Sequence, residues 1–155
     1  MSNRTLDHID ERLIMFMRKI SYPLARFALF TVFFWFGTLK VLSTSPANPL
    51  VENLLHKTLP FIDFQHFIVF FGCFEMAIGI AFLVPGLERL AVALLIPHMA
   101  TTFMPLIFLP QITWQSFLTP TLEGQYIIKN LVIIALALSL GAHLKPFGTK
   151  KIISA

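Results

Sequence analysis

Apolar residues fall first into a three- and four-residue rhythm and then into four long runs. Leu6, Ile9, Leu13, Phe16 and Ile20 recur among Asp7, Asp10, Glu11, Arg12, Arg18 and Lys19, which predicts an amphipathic helix. Its acids and the lack of a cleavage site argue against a removable signal peptide, and it reads as a helix lying on a membrane surface. The runs follow at about 23–42, 68–84, 90–109 and 125–142, each close to the ~20 apolar residues that cross a bilayer. Pro23 suits the first turn of the first run. In the next connection Asn48 is a plausible cap and Pro49 the first residue of a short interfacial helix stopped by Pro60. Pro97 and Pro105 predict kinks in the third run, and 110–124, with Trp114 and Phe117, reads as an interfacial loop. The predicted fold is an all-α membrane protein, a four-transmembrane-helix bundle with an N-terminal amphipathic helix and a short interfacial helix in the first external loop. One domain over 1–155 accounts for the chain.

Composition agrees with that pattern. Of 155 residues, 56% are hydrophobic and 13% charged, too little polar surface for a soluble domain of this size. The net charge of +4 does not call for nucleic acid, because the basic residues sit mainly at the termini and in one tight loop. The N-terminal segment, the second connection and the tail hold Arg4, Arg12, Arg18, Lys19, Arg89, Lys145, Lys150 and Lys151. The other two connections hold only Lys57. Excess Lys and Arg mark the cytoplasmic side, so both termini are expected to be cytoplasmic. Cys73 is the single cysteine, which excludes an internal disulfide, CxxC chemistry and zinc sites built from several cysteines.

The acid at Glu75 stands near the middle of an apolar run, and an acid inside hydrocarbon normally faces a partner or a wet cavity. Gly72, Glu75 and Gly79 share one helix face, and the glycines predict a helix packed closely against it. By rise per residue, Lys40 and Lys129 fall within ~5 Å of the outer ends of their spans and Glu75 ~10 Å below its own. Arg26, near an inner end, is expected to snorkel. Lys40, Glu75, Thr101, Thr102, Lys129 and Asn130 therefore share the outer half of one bundle. They read either as a buried ion pair fixing helix register or as an outer-facing pocket. In the pocket, two lysines against one carboxylate favour an anion or a quinone carbonyl, and spacing does not choose between the two readings. His98, in mid-membrane after Pro97, would be the axial ligand of a haem, but a hydrogen-bonded packing role is the preferred reading. His56, His66 and His143 are too scattered for a metal site, and no nucleophile–base pair, phosphate loop or metal motif assigns a catalytic residue.

Several stretches carry a family resemblance: Phe34–Lys40 (FWFGTLK), Asn48–Val51 (NPLV), Gly72–Gly79 (GCFEMAIG), Thr101–Phe103, Leu118-Thr119-Pro120 and Gly124–Leu131 (GQYIIKNL). In these the chain resembles the family of reactive chlorine resistance protein C (RclC, also called YkgB), itself similar to DoxX-like four-helix membrane proteins. The family pattern reads Gly-Arg before the last helix and Lys-Asp within it. Here Gly124-Gln125 and Lys129-Asn130 stand instead, removing an ion pair. The resemblance implies an inner-membrane protein associated with oxidative or reactive-chlorine stress. DoxX-like relatives include a subunit of a thiosulfate:quinone oxidoreductase, which points toward a quinone-type ligand. The expectation is an accessory or stress-defence membrane protein. Its expected partners are the bilayer and a larger membrane complex or homo-oligomer, not nucleic acid. The alternatives are a quinone- or oxidant-handling oxidoreductase subunit and, with no inverted repeat visible to support it, a small-solute or ion transporter.

Overall fold

The computed structural model describes residues 3–144, with side chains from Leu6 onward, so Lys145, Lys150, Lys151 and Pro146 lie outside the described residues. Four helical segments, Leu6–Val41, Phe64–Leu83, Glu88–Phe108 and Leu122–Gly141, are long and apolar enough to cross a membrane. The protein is an all-α four-helix membrane bundle carrying one very short β-hairpin.

The first helix corrects the sequence reading. α1 runs without interruption over Asn3–Val41, so the amphipathic segment and the first span are one helix with Pro23 in its interior. It ends where Ser43 takes a left-handed φ of 57°, and the N–H groups of Ser43 and Thr44 close on the carbonyls of Lys40 and Leu39. α2, Asn48–Thr58, has Pro49 in its first turn as expected, but its cap is Ala47 and not Asn48. α3, Phe64–Leu83, begins four residues before the predicted span. Asp63 starts it, its carboxylate accepting from the His66 backbone N–H at 3.0 Å.

α1 and α3 make the closest contact in the bundle because glycine faces glycine. A Cβ built on Gly37 would lie 2.6 Å from the Gly72 carbonyl oxygen, and one on Gly72 would lie 2.7 Å from that of Gly37. One turn of α1 away, a Cβ on Gly79 would meet the Phe34 nitrogen at 2.9 Å. The Gly72–Glu75–Gly79 face thus lies against α1, which brings the acid into the interior.

The third span is divided. α4, Glu88–Phe103, contains Pro97, and α5, Pro105–Phe108, follows after Met104. Pro105 has no N–H to give the Thr101 carbonyl, which accepts instead from Met104 at 3.3 Å. α6, Pro110–Thr113, leads into β1, Trp114–Ser116, paired antiparallel with β2, Thr119–Pro120. α7, Leu122–Gly141, starts directly after Thr121, whose hydroxyl donates to Ile112 O at 2.7 Å and accepts from Gly124 N at 3.1 Å. Gly124 packs so tightly on the Thr113 carbonyl that a side chain has no room there. Leu29, Phe33, Ile78, Phe82, Ala91 and Leu95 lie in the buried core shared by α1, α3 and α4, and Ala137 and Leu140 add α7.

At the end of the bundle marked by the 84–87 turn, Arg26 is buried rather than snorkelling. Its Nε donates to Phe82 O at 2.8 Å and its Nη2 to Leu83 O at 3.1 Å, which caps the last turn of α3. Its Nη1 pairs with Glu88 Oε1 at 2.5 Å, while Glu88 Oε2 accepts from Gly86 N at 2.9 Å. The guanidinium is held here because it satisfies helix-terminal carbonyls and a carboxylate together, which a snorkelling side chain would leave unpaired.

Candidate functional site

Lys40, Glu75 and His98 meet where α1, α3 and α4 pack. Lys40 sits in the last turn of α1, and side chains on a helix lean toward its N-terminus, so the ammonium reaches back into the bundle. It contacts Glu75 Oε2 at 2.6 Å. The other oxygen, Oε1, lies 2.8 Å from His98 Nε2. All three residues are buried, with only 5–6% of their surfaces exposed. An ionised carboxylate accepts only, so Nε2 is the donor in that bond, while Nδ1 lies 3.4 Å from the Thr102 hydroxyl oxygen.

Aromatic rings wall this cluster. Phe71 stacks on the His98 ring at 5.2 Å with 7° between planes, and Phe33 meets it edge-on at 5.3 Å. The Lys40 ammonium stands 5.7 Å from the centre of the same Phe71 ring. Rings on these sides keep water from the carboxylate and strengthen both of its contacts.

Of the six residues grouped by depth along the sequence, the structure brings Lys40 and Glu75 into contact and places Thr102 beside them through His98. Thr101 and Thr102 both donate to the His98 carbonyl, at 2.8 and 2.9 Å. Lys129 and Asn130 stand elsewhere. Lys129 is exposed, with its ammonium 5.3 Å from the Tyr126 ring centre, and Asn130 Nδ2 donates to the Tyr126 carbonyl at 3.4 Å. The buried face of α7 is Gly124, Ile127, Ala137 and Leu140, which turns Lys129 away from Glu75. Glu75 is also deeper than expected, ~16 Å from the start of α3, because that helix begins at Phe64.

The sequence reading missed the Glu75–His98 bond and the Arg26–Glu88 pair. A signal for the first was present: an acid and an imidazole fall near the middles of successive antiparallel spans. His98 is thus hydrogen-bonded through Nε2 to Glu75, a contact compatible with a packing role.

A separate open recess of about 470 Å³ lies beside the 59–63 connection, lined by Glu52, His56, Phe61, Asp63, Phe64 and Gln65, among others. None of the cluster residues lines it. The Asp63 carboxyl is held below the ordinary carboxylate value, first by the backbone N–H of His66 and then by its side chain. Among the described residues no three His, Cys, Asp or Glu side chains are gathered to hold a metal. No protein-family model, curated protein or solved structure matches the chain.

Proposed function

We propose that this chain is an accessory multi-pass protein of the bacterial cytoplasmic membrane, of the RclC-like type and acting in stress defence, with both termini on the cytoplasmic side. The accessory reading rests on one observation: the Lys40–Glu75–His98 cluster is closed on itself. Both carboxylate oxygens have partners, the two charges cancel, and Phe71 and Phe33 cover the imidazole. A pair of that kind fixes the register of helices that are otherwise uniformly greasy. The orientation rests on the crowding of Lys and Arg toward the termini and the 85–89 turn, and the stress-defence role on the motifs around Lys40, Glu75 and Lys129.

A second reading, a subunit of a quinone-handling oxidoreductase, is favoured by a different property of the same cluster. The Glu75–His98 bond puts a carboxylate and an imidazole in proton-transfer contact beside the flat Phe71 ring. The deciding experiment is purification in mild detergent, followed by an absorption spectrum and mass spectrometry of whatever accompanies the protein. A stoichiometric protein partner supports the accessory reading, and a bound quinone replaces it with the second. A Soret band would overturn the packing reading of His98.

A further inference from the structure

Among the described residues, no element covers the half of α1 that precedes the bundle. Arg26 marks the bundle end by binding the last carbonyls of α3, and the His143 ring reaches back to Tyr22 at 5.7 Å. Beyond that point residues 6–19 are exposed, Ile14 apart, over ~20 Å of helix. Along it Leu6, Ile9, Leu13, Phe16 and Ile20 form an apolar stripe, with Leu13 and Phe16 55% and 58% exposed. An uncovered stripe of this length does not hold a helix in water by propensity alone.

We propose that this stripe is the contact surface between two copies of the chain, packed α1 against α1 in parallel. Three features select a second copy over a lipid surface. A helix lying on the bilayer would have to turn sharply at Pro23, whereas α1 continues through it. The stripe advances by three, four, three and four residues, the spacing of a two-helix seam, with Leu6, Leu13 and Ile20 in one row and Ile9 and Phe16 in the other. The same face also continues into the membrane. At 3.6 residues per turn the stripe lies roughly 150° from the Leu29–Phe33–Gly37–Lys40 face that meets the bundle, in line with Leu24, Phe27, Thr31 and Thr38. There it runs into an apolar groove of about 280 Å³ lined by Thr31, Phe34, Trp35 and Thr38, among others.

Charge complements this geometry. Asp10 borders one side of the stripe, and Arg12 and Lys19 border the other. Two copies inserted the same way in one membrane are related by a two-fold axis along its normal. The basic flank of each copy then meets the acidic flank of the other. An antiparallel pairing would set like flanks together, and a shared membrane forbids it. Two heptads are short for a coiled coil in solution, but the membrane halves hold the two helices at high effective concentration. The inference rests on the four helices spanning a bilayer and not on what the Lys40–Glu75–His98 cluster does.

The test uses the full chain in native membrane vesicles, with exposed Cys73 replaced by serine. Single substitutions Leu13→Cys, Phe16→Cys and Ile20→Cys on the stripe are compared with Glu11→Cys and Arg18→Cys on the opposite side. Oxidation with copper phenanthroline should give a covalent dimer at the three stripe positions and none at the other two. Adding Asp10→Lys should diminish the dimer, and combining it with Arg12→Glu and Lys19→Glu should restore it. Absence of dimer at the stripe, or equal dimer on both faces, overturns the proposal. So does finding stripe cysteines monomeric and open to a lipid-soluble quencher, which would seat the helix on the bilayer, or shielded without self-crosslinking, which would mean a different partner.

Discussion

Removing one member of the Lys40–Glu75 pair should be far more harmful than removing both. At 2.6 Å the attraction between the two charges is on the order of 6 kcal/mol at an effective dielectric near 20. Most of that is offset by the desolvation of two ions, so replacing the pair with uncharged groups of like shape should change stability little. Lys40→Met alone leaves a buried carboxylate whose one remaining side-chain partner is His98. Glu75→Gln alone leaves a buried ammonium with no carboxylate to balance it, since the contact with the Phe71 ring is worth roughly 1–2 kcal/mol at best. Each single change should therefore destabilise by about 3–5 kcal/mol.

In the double variant the Gln carbonyl can still accept from His98 Nε2, and Met fills the channel of the lysine stem. Its destabilisation should be on the order of 1 kcal/mol, giving a coupling energy of several kcal/mol, well above the ~0.6 kcal/mol typical of polar pairs between membrane helices. The assay is a double-mutant cycle by reversible SDS-induced unfolding in mixed micelles. If the two single effects simply add, within about 0.5 kcal/mol, the charges do not act as a pair and the argument fails. On the proposed stress-defence role, a second readout separates register from chemistry: under hypochlorite challenge, the stable double variant should protect cells as well as the wild type does. Loss of protection with an intact fold would move the cluster from scaffold to reactive site.

Other outcomes follow from contacts outside the cluster. Gly72→Val should push α1 from α3, since even a Cβ there would sit 2.7 Å from the Gly37 carbonyl oxygen; a loss of about 1–3 kcal/mol in the same unfolding assay is expected. Arg26→Met should destabilise by about 3–5 kcal/mol because it strands Glu88 and the carbonyls of Phe82 and Leu83, and adding Glu88→Gln should recover part of the loss. Asp63 titrates below its usual value of 3.8 in the folded protein, so its stabilising contribution is complete above that value and fades as pH falls through the lowered one. The melting difference between wild type and Asp63→Ala should accordingly shrink on acidification below 3.8, and a difference that stays constant would refute the capping role.

How much was legible in the sequence differs between depth and direction. Four apolar runs and a glycine-flanked acid carry strong signals, because a bilayer sets run length and small residues mark where backbones meet. The Gly72–Glu75–Gly79 face and a lysine partner for its acid could be read from those rules, but not which of Lys40 and Lys129 it would be. Pro23 misled, because a proline at the border between a charged segment and a greasy one reads equally as a helix start or as an interior residue. Whether α1 stops there depends on the chain around it and not on the local pattern.

Lys129 shows why depth alone was insufficient. Its distance along α7 placed it near the level of Lys40, but apolar residues ring most of α7, so no polar stripe opposite a greasy one marks which face turns inward. Close approach at Gly124 against Thr113 sets the rotation, and that contact depends on the hairpin at 114–120, whose few residues carry little periodic signal. The same reasoning explains His98. Once α3 is fixed against α1 by three glycines, Glu75 has one oxygen directed at Lys40 and one left over, and α4 must supply a donor at that level or leave the oxygen bare in a low-dielectric core. His98 is that donor, so its presence follows from the glycine contact as much as from any chemistry of its own.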